Sequence, residues 1–219
     1  MRSNHHHIQP HWHSVAGRFP AERDCLTSFL AYESAEILAG AKPANLINLV
    51  NRPHHCGRNF YQLWKECGHT LLDHSGLVSR VLVDRGESLL LLVYTPQLLD
   101  ALLLRPATRA MLHRAGYAKV EETAAVLAEL EKRCGEGEGF PHEIGIFLGY
   151  PLKDVAAFLG WIALPFTAQG PWKIYGQPEK SLDLAACHRR CREHMLRELA
   201  HCCRPEECLS PSRKHLSAS

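Results

Sequence analysis

Two Val- and Leu-rich runs, Leu77 to Asp84 and Glu87 to Tyr94, flank the turn Asp84-Arg85-Gly86. Runs of that length and composition about a tight, glycine-bearing turn read as a β-hairpin. A hairpin forces an antiparallel pair, so it argues against a purely parallel βαβ series. Leu89 to Val93 is apolar at every position instead of alternating. That strand is therefore expected to be buried on both faces.

The rest of the chain is punctuated by Gly and Pro. Leu26, Phe29, Leu30, Ile37 and Leu38 recur at near-helical spacing between Glu22 and Ala39, with Gly40 at a C-cap position and Pro43 preventing continuation. Asn45 to Val50 is a run of strand length, and Asn59 to Leu72 reads as a helix interrupted by Gly68. Pro96, Pro106, Pro141, Pro151 and Pro178 each sit where a helix can begin. Trp172 to Tyr175 reads as a further short strand. The sum is an α+β fold: a small mixed or antiparallel sheet of roughly three to four strands, including the hairpin at about 77–94, covered by about seven helices. Residues 21–200 are expected to form a single domain. Residues 1–20, with His5, His6, His7, His11 and His13, are expected to be a disordered His-rich tail, and 201–219 a flexible Cys-containing one.

A net charge of +2 argues against a dedicated nucleic-acid binder. The longest apolar run, Val155 to Phe166, contains Pro165 and falls short of the ~20 residues a membrane helix needs. Neither nucleic-acid binding nor membrane insertion is expected. The N-terminus carries no apolar signal-like stretch, so the nine cysteines, an odd count, are expected as reduced thiols in a cytoplasmic protein.

Several groups of residues could carry function. His142-Glu143, at a helix start, could exchange a proton or receive an anion, or could simply cap and pack. No second His follows four residues on, where a zinc-protease motif requires it; the residue there is Ile146. Lys173, between Trp172 and Tyr175, could present a charge to a ligand carboxylate or phosphate, or stay solvated on its strand. Lys42 and Asn45 lie between a helix and a strand, where ligand groups often sit. Cys187, Cys191 and His194 share a helical stripe with Glu198 and Cys202. That stripe could bind a soft metal or form a thiol pair, but it lacks the usual Cys-x-x-Cys knuckle, and core packing explains it as well. No motif requires a cofactor.

The run Phe140-Pro141-His142-Glu143-Ile144-Gly145-Ile146-Phe147-Leu148-Gly149-Tyr150-Pro151, followed by Trp172-Lys173-Ile174-Tyr175-Gly176, resembles the bacterial family of domain of unknown function 3793, found mostly in clostridial-type anaerobes. Leu38-Ala39-Gly40-Ala41-Lys42-Pro43-Ala44-Asn45-Leu46 looks like its N-terminal motif, and the likeness spans roughly residues 25–200. The resemblance implies a cytoplasmic protein and supplies no catalytic residue. Three positions depart from it. Glu33-Ser34 stand where the family often reads His-Cys. Ala168-Gln169 stand where it often has a Cys. The apolar Trp161-Ile162-Ala163-Leu164-Pro165-Phe166 replaces a polar connection. Cys191 matches a Cys common in the family's last helix.

These observations favour a non-catalytic accessory protein that binds a ligand or partner through His142, Glu143, Tyr150, Lys173 and Tyr175, with Lys42 and Asn45 as further ligand candidates. The apolar segment Trp161 to Phe166 is either a partner surface or a lid on the core. Two other classes stand beside this reading. One is an enzyme on a small anionic substrate held by Lys173, with His142 or Glu143 moving a proton. The other is a metal- or thiol-redox-handling protein using Cys187, Cys191 and His194.

Overall fold

A computed structural model describes residues 11–136 and 139–210 of the chain. The hairpin forms as read: β2 (Val78–Asp84) and β3 (Ser88–Tyr94) pair antiparallel, with a bulge that turns Leu82 into the core. The Gly86 amide closes the turn on Asp84 Oδ1 at 3.0 Å. β1 (Ala44–Val50) pairs antiparallel with the other edge of β3, giving the order β1-β3-β2. The sheet is antiparallel throughout.

The all-apolar β3 is central and covered on both sides. Leu89, Leu91 and Val93 face one cluster with Ile47 and Leu49. Leu92 faces a second cluster with Ala44 and Leu82. Over the first face lie α2 (Glu22–Glu33), α4 (Phe60–Leu71), α10 (Glu179–His201) and α11 (Glu206–Leu209). Over the second lie α5 (Pro96–Leu103), α6 (Pro106–Arg114), α7 (Thr123–Glu136) and α8 (Ile144–Phe147). Burying a side chain of this size contributes about 1.5–3 kcal/mol, so four fully buried aliphatics in one strand anchor both halves of the molecule.

The described residues form eleven helices, four of them single turns, against the seven or so read from sequence. One extra helix arises because the expected helix over Glu22 to Ala39 breaks at Ser34 into α2 and α3 (Ala35–Leu38). The Asn45 side-chain amide donates to the Glu33 carbonyl at 2.6 Å, taking an acceptor that a continuous helix would use. Gly68, by contrast, does not interrupt α4. A Cβ there would fall 2.4 Å from the Trp64 indole, so glycine lets the ring lie back over its own helix.

The ends differ most from expectation. Trp12, Val15, Ala16 and Phe19 are core residues, with α1 (His13–Ala16) between them. The Trp12 indole N–H donates to Ser28 Oγ at 3.0 Å. Their spacing of three, one and three is an amphipathic helical pattern, and burial of the Trp12 ring outweighs the cost of ordering the segment. The expected tail is therefore packed from Trp12 onward. At the other end Cys208 and Leu209 are buried in the first cluster, so packing continues to Leu209. Residues 1–10 and 211–219, including His5, His6 and His7, lie outside the described residues. Trp172 to Tyr175 also differs from expectation: β5 (Lys173–Tyr175) leaves the main sheet and pairs with β4 (Phe166–Gln169), a strand that begins at the last residue of the apolar segment Trp161 to Phe166 and is not expected from the sequence. Among the described residues no helix is long and apolar enough to cross a membrane.

Candidate functional site

The loop from α3 to β1 delivers Lys42 and Asn45, the turn after α8 delivers Tyr150, and α10 delivers His188 and Arg192. Gly149 makes this junction possible. It sits at φ +71°, and a Cβ there would lie 2.7 Å from the Pro43 ring. Only glycine combines that left-handed conformation with so close an approach.

Behind the junction lies a buried polar cluster. Asn45 accepts a hydrogen bond from Lys42 Nζ and donates through Nδ2 to Glu36 Oε2 at 3.0 Å. Arg192 Nε donates to the other Glu36 oxygen at 2.7 Å, and its Nη2 reaches Glu33 Oε2 at 3.1 Å. The guanidinium lies 5.0 Å from the Tyr32 ring. Glu33, one of the residues that departs from the resembled pattern, is thus half of the fork that fixes Arg192.

Lys42 is the exception in this cluster. It is 7% exposed, and its ammonium has Asn45 as its hydrogen-bond partner and the Tyr150 ring 5.1 Å away. Among the described residues no carboxylate lies within ion-pair range of it. Burial lowers its pKa to about 8; Glu36 opposes that shift, Arg192 adds to it and Glu33 opposes it. His188 is equally buried, and its Nε2 has no partner among the described residues. Burial and the Lys42 charge push its pKa down to about 4, so it is neutral near pH 7.

These side chains border a cleft of about 940 Å³ that also takes in Gly170, Leu182 and Arg189. Tyr150 separates it from a second, smaller cavity of about 260 Å³. Leu46 and Leu148 belong to both walls. Tyr150 is stacked on Trp172, with ring centroids 4.5 Å apart and planes 23° apart. Trp172 is pinned by Asp154, on α9 (Leu152–Phe158). Asp154 accepts from Trp172 Nε1 at 2.9 Å and Ser181 Oγ at 2.6 Å through one oxygen. Through the other it accepts from the Tyr175 amide at 2.9 Å and Lys153 Nζ at 2.7 Å. Burial would raise the Asp154 pKa, but these hydrogen bonds, led by Lys153 and Ser181, hold it below the usual carboxylate value.

The residues singled out in the sequence separate into groups. Lys42, Asn45 and Tyr150 share the cleft. His142, Tyr150 and Lys173 share the smaller cavity. Glu143 turns away from both: it is buried and accepts from Arg133 Nη1 at 3.0 Å. Tyr175 meets Phe166 edge to face, and its backbone serves Asp154 and Lys153. On α10, Cys191 is buried and Cys187 half-buried, and burial with the neighbouring Cys187 raises the Cys191 pKa to about 12. Among the described residues no three His, Cys, Asp or Glu side chains are arranged to hold a metal. The segment 161–166 is largely exposed, with Phe166 at 57%.

Glu36, His188, Arg192 and Asp154 were not singled out from sequence. His188 and Arg192 are four residues apart, each one position after a cysteine of the Cys187–Cys191 stripe. A reading of the adjacent helical stripe would have found them.

The fold and site define an α+β protein whose antiparallel sheet carries a core on each face and a polar cleft beside a smaller cavity. The chain belongs to the family described as Protein of unknown function (DUF3793), which matches it over residues 30–209. The three segments that carry the resemblance, Leu38–Leu46, Phe140–Pro151 and Trp172–Gly176, meet around Tyr150. No curated protein and no solved structure matches the chain.

Proposed function

We propose that this chain is a non-catalytic binding protein for a small anionic organic molecule, held in the cleft by Lys42. The observation that carries the reading is the buried ammonium itself. It borders a cleft of ligand size, has one hydrogen-bond partner for three donors, and has no carboxylate in ion-pair range among the described residues. A buried charge with no carboxylate in direct contact is under-compensated, and a ligand carboxylate or phosphate supplies that contact. Glu36 and Arg192 hold each other and Asn45, so they set the geometry of the wall instead of moving protons. The Tyr150 face and the His188 ring, whose Nε2 has no partner among the described residues, complete a surface suited to a planar ligand. A cytoplasmic setting is part of this proposal and is supported by nine free thiols. The near-neutral charge supports a ligand other than nucleic acid.

The test is a thermal-shift panel of small mono- and dicarboxylates and phosphate monoesters on the wild type and on Lys42→Met. The proposal expects at least one anion to stabilise the wild type and not the variant. Equal stabilisation of both proteins, or none by any member, defeats it.

A second reading, association through the apolar face of 161–166, is favoured by the exposure of Ile162, Leu164 and Phe166. Sedimentation velocity tests whether the chain self-associates and whether Ile162→Ser with Phe166→Ser abolishes it. A monomer at every concentration removes self-association through this face.

A further inference from the structure

The smaller cavity differs from the cleft in chemistry. Its floor is Leu46, Ile144, Leu148 and Val155, and one side is the Tyr150–Trp172 stack. Gly145 lies in the wall, where a Cβ would come within 3.1 Å of Val155 and 3.3 Å of Tyr150. Two large aromatics that border the cavity are left unusually open: Phe140 is 46% exposed and Phe158 41%. Both polar side chains of the rim address the Phe158 ring, Lys173 Nζ at 5.4 Å from its centroid and the His142 ring at 5.1 Å. Among the described residues Lys173 has no ion-pair partner. Asp154 is the carboxylate of the wall, and its two oxygens are already occupied by four donors. The unmatched charge at the rim is therefore positive.

We propose that this cavity binds a small aromatic carboxylate, with its ring among the apolar walls and its carboxylate at Lys173. Size supports the class. A dry cavity of ~150 Å³ accepts benzene, and about 260 Å³ leaves room for a ring with a short acidic side chain. Ring-on-ring contact with Tyr150, Trp172 and Phe158 favours an aromatic over an aliphatic occupant. The site is separate from the Lys42 cleft across Tyr150, so it does not depend on the cleft having a ligand.

The experiment is a calorimetric titration of the full chain with phenylacetate and, in parallel, with neutral phenylacetamide. Wild type, Lys173→Met and Lys42→Met are compared. Lys173 is exposed on a two-stranded edge, so its replacement leaves the core intact. The expected result is phenylacetate binding with a Kd on the order of a millimolar or tighter, as suits about ten heavy atoms. Lys173→Met weakens phenylacetate about five-fold and phenylacetamide less than about two-fold. Absence of binding by either probe to the wild type overturns the proposal. So does equal weakening of both probes by Lys173→Met. Loss of phenylacetate binding in Lys42→Met but not in Lys173→Met moves the carboxylate to the cleft, which supports the proposed function and ends the inference about the cavity.

Discussion

Replacing Asp154 by Ala tests the support of the whole junction. Asp154 receives four hydrogen bonds, and two of the donors, Trp172 Nε1 and Ser181 Oγ, belong to buried residues. Each buried donor left without an acceptor costs about 1–3 kcal/mol, and loss of the Tyr175 amide bond adds about 0.5–1.5 kcal/mol. Lys153 is one-third exposed and can turn to water, so its ion pair adds little. The variant is thus expected to lose about 2.5–7.5 kcal/mol, which for a chain of this length lowers Tm by about 5–30 °C. Asp154→Asn should cost less, because its amide oxygen can still accept from both Trp172 Nε1 and Ser181 Oγ, leaving only the Tyr175 amide and Lys153 without their acceptor. Acid provides a second check. The folded Asp154 pKa lies below that of the unfolded chain, so its contribution is full above about pH 4 and is lost as pH falls through the folded value. Urea denaturation of the three proteins between pH 7 and pH 3 gives all these quantities. A loss under about 1 kcal/mol for Asp154→Ala at pH 7 would refute the argument that this carboxylate holds Trp172 and β5 in place.

Trp12→Ala should destabilise the fold by about 3–5 kcal/mol in urea denaturation, because it removes a buried ring and the bond to Ser28; a shift under about 1 kcal/mol would mean the segment is not part of the core. His188, neutral in the fold, makes stability rise with pH between about 4 and the ordinary histidine pKa near 6.5. His188→Gln should remove a component of that slope on the order of 2–4 kcal/mol, and unchanged slopes would count against a buried neutral imidazole. In a timed alkylation at pH 8 read by peptide mass spectrometry, exposed Cys203 should react first. Cys25 and Cys191, whose pKa values burial raises to about 12, should stay protected until unfolding. Early modification of Cys191 would reopen the thiol-redox reading.

What could be read from the sequence was local. Asp84-Arg85-Gly86 sets the hairpin, the unbroken Leu89–Val93 run sets a strand covered on both faces, and the prolines at helix starts place α5, α6 and α10 to within a residue or two. Tyr150, Lys42, Asn45, His142 and Lys173 stand out as unusual residues at element boundaries; in the fold Lys42 and Asn45 line the cleft, His142 and Lys173 line the smaller cavity, and Tyr150 belongs to both. The errors were of two kinds. The break at Ser34 depends on Asn45 reaching the Glu33 carbonyl from twelve residues away, which no local pattern encodes. The packing of the Trp12–Phe19 segment, with α1 at its centre, is encoded in its spacing, but the surrounding histidines mask it. Glu143 and Tyr175 look like site residues in one dimension, and only the fold shows that Arg133 claims the first and that the second serves Asp154 through its backbone. Burial also sets Lys42 apart: the same lysine on an exposed loop would have no shifted pKa.

The most direct test of the binding account is an NMR pH titration of the Lys42 ε-methylene, first in the free protein and then with a stabilising anion from the carboxylate and phosphate-monoester panel. The account predicts a value near 8 in the free protein, set by burial, and a rise of about one unit or more when an anion pairs with the ammonium. An ordinary lysine value in the free protein, or a value unmoved by the anion, would contradict it.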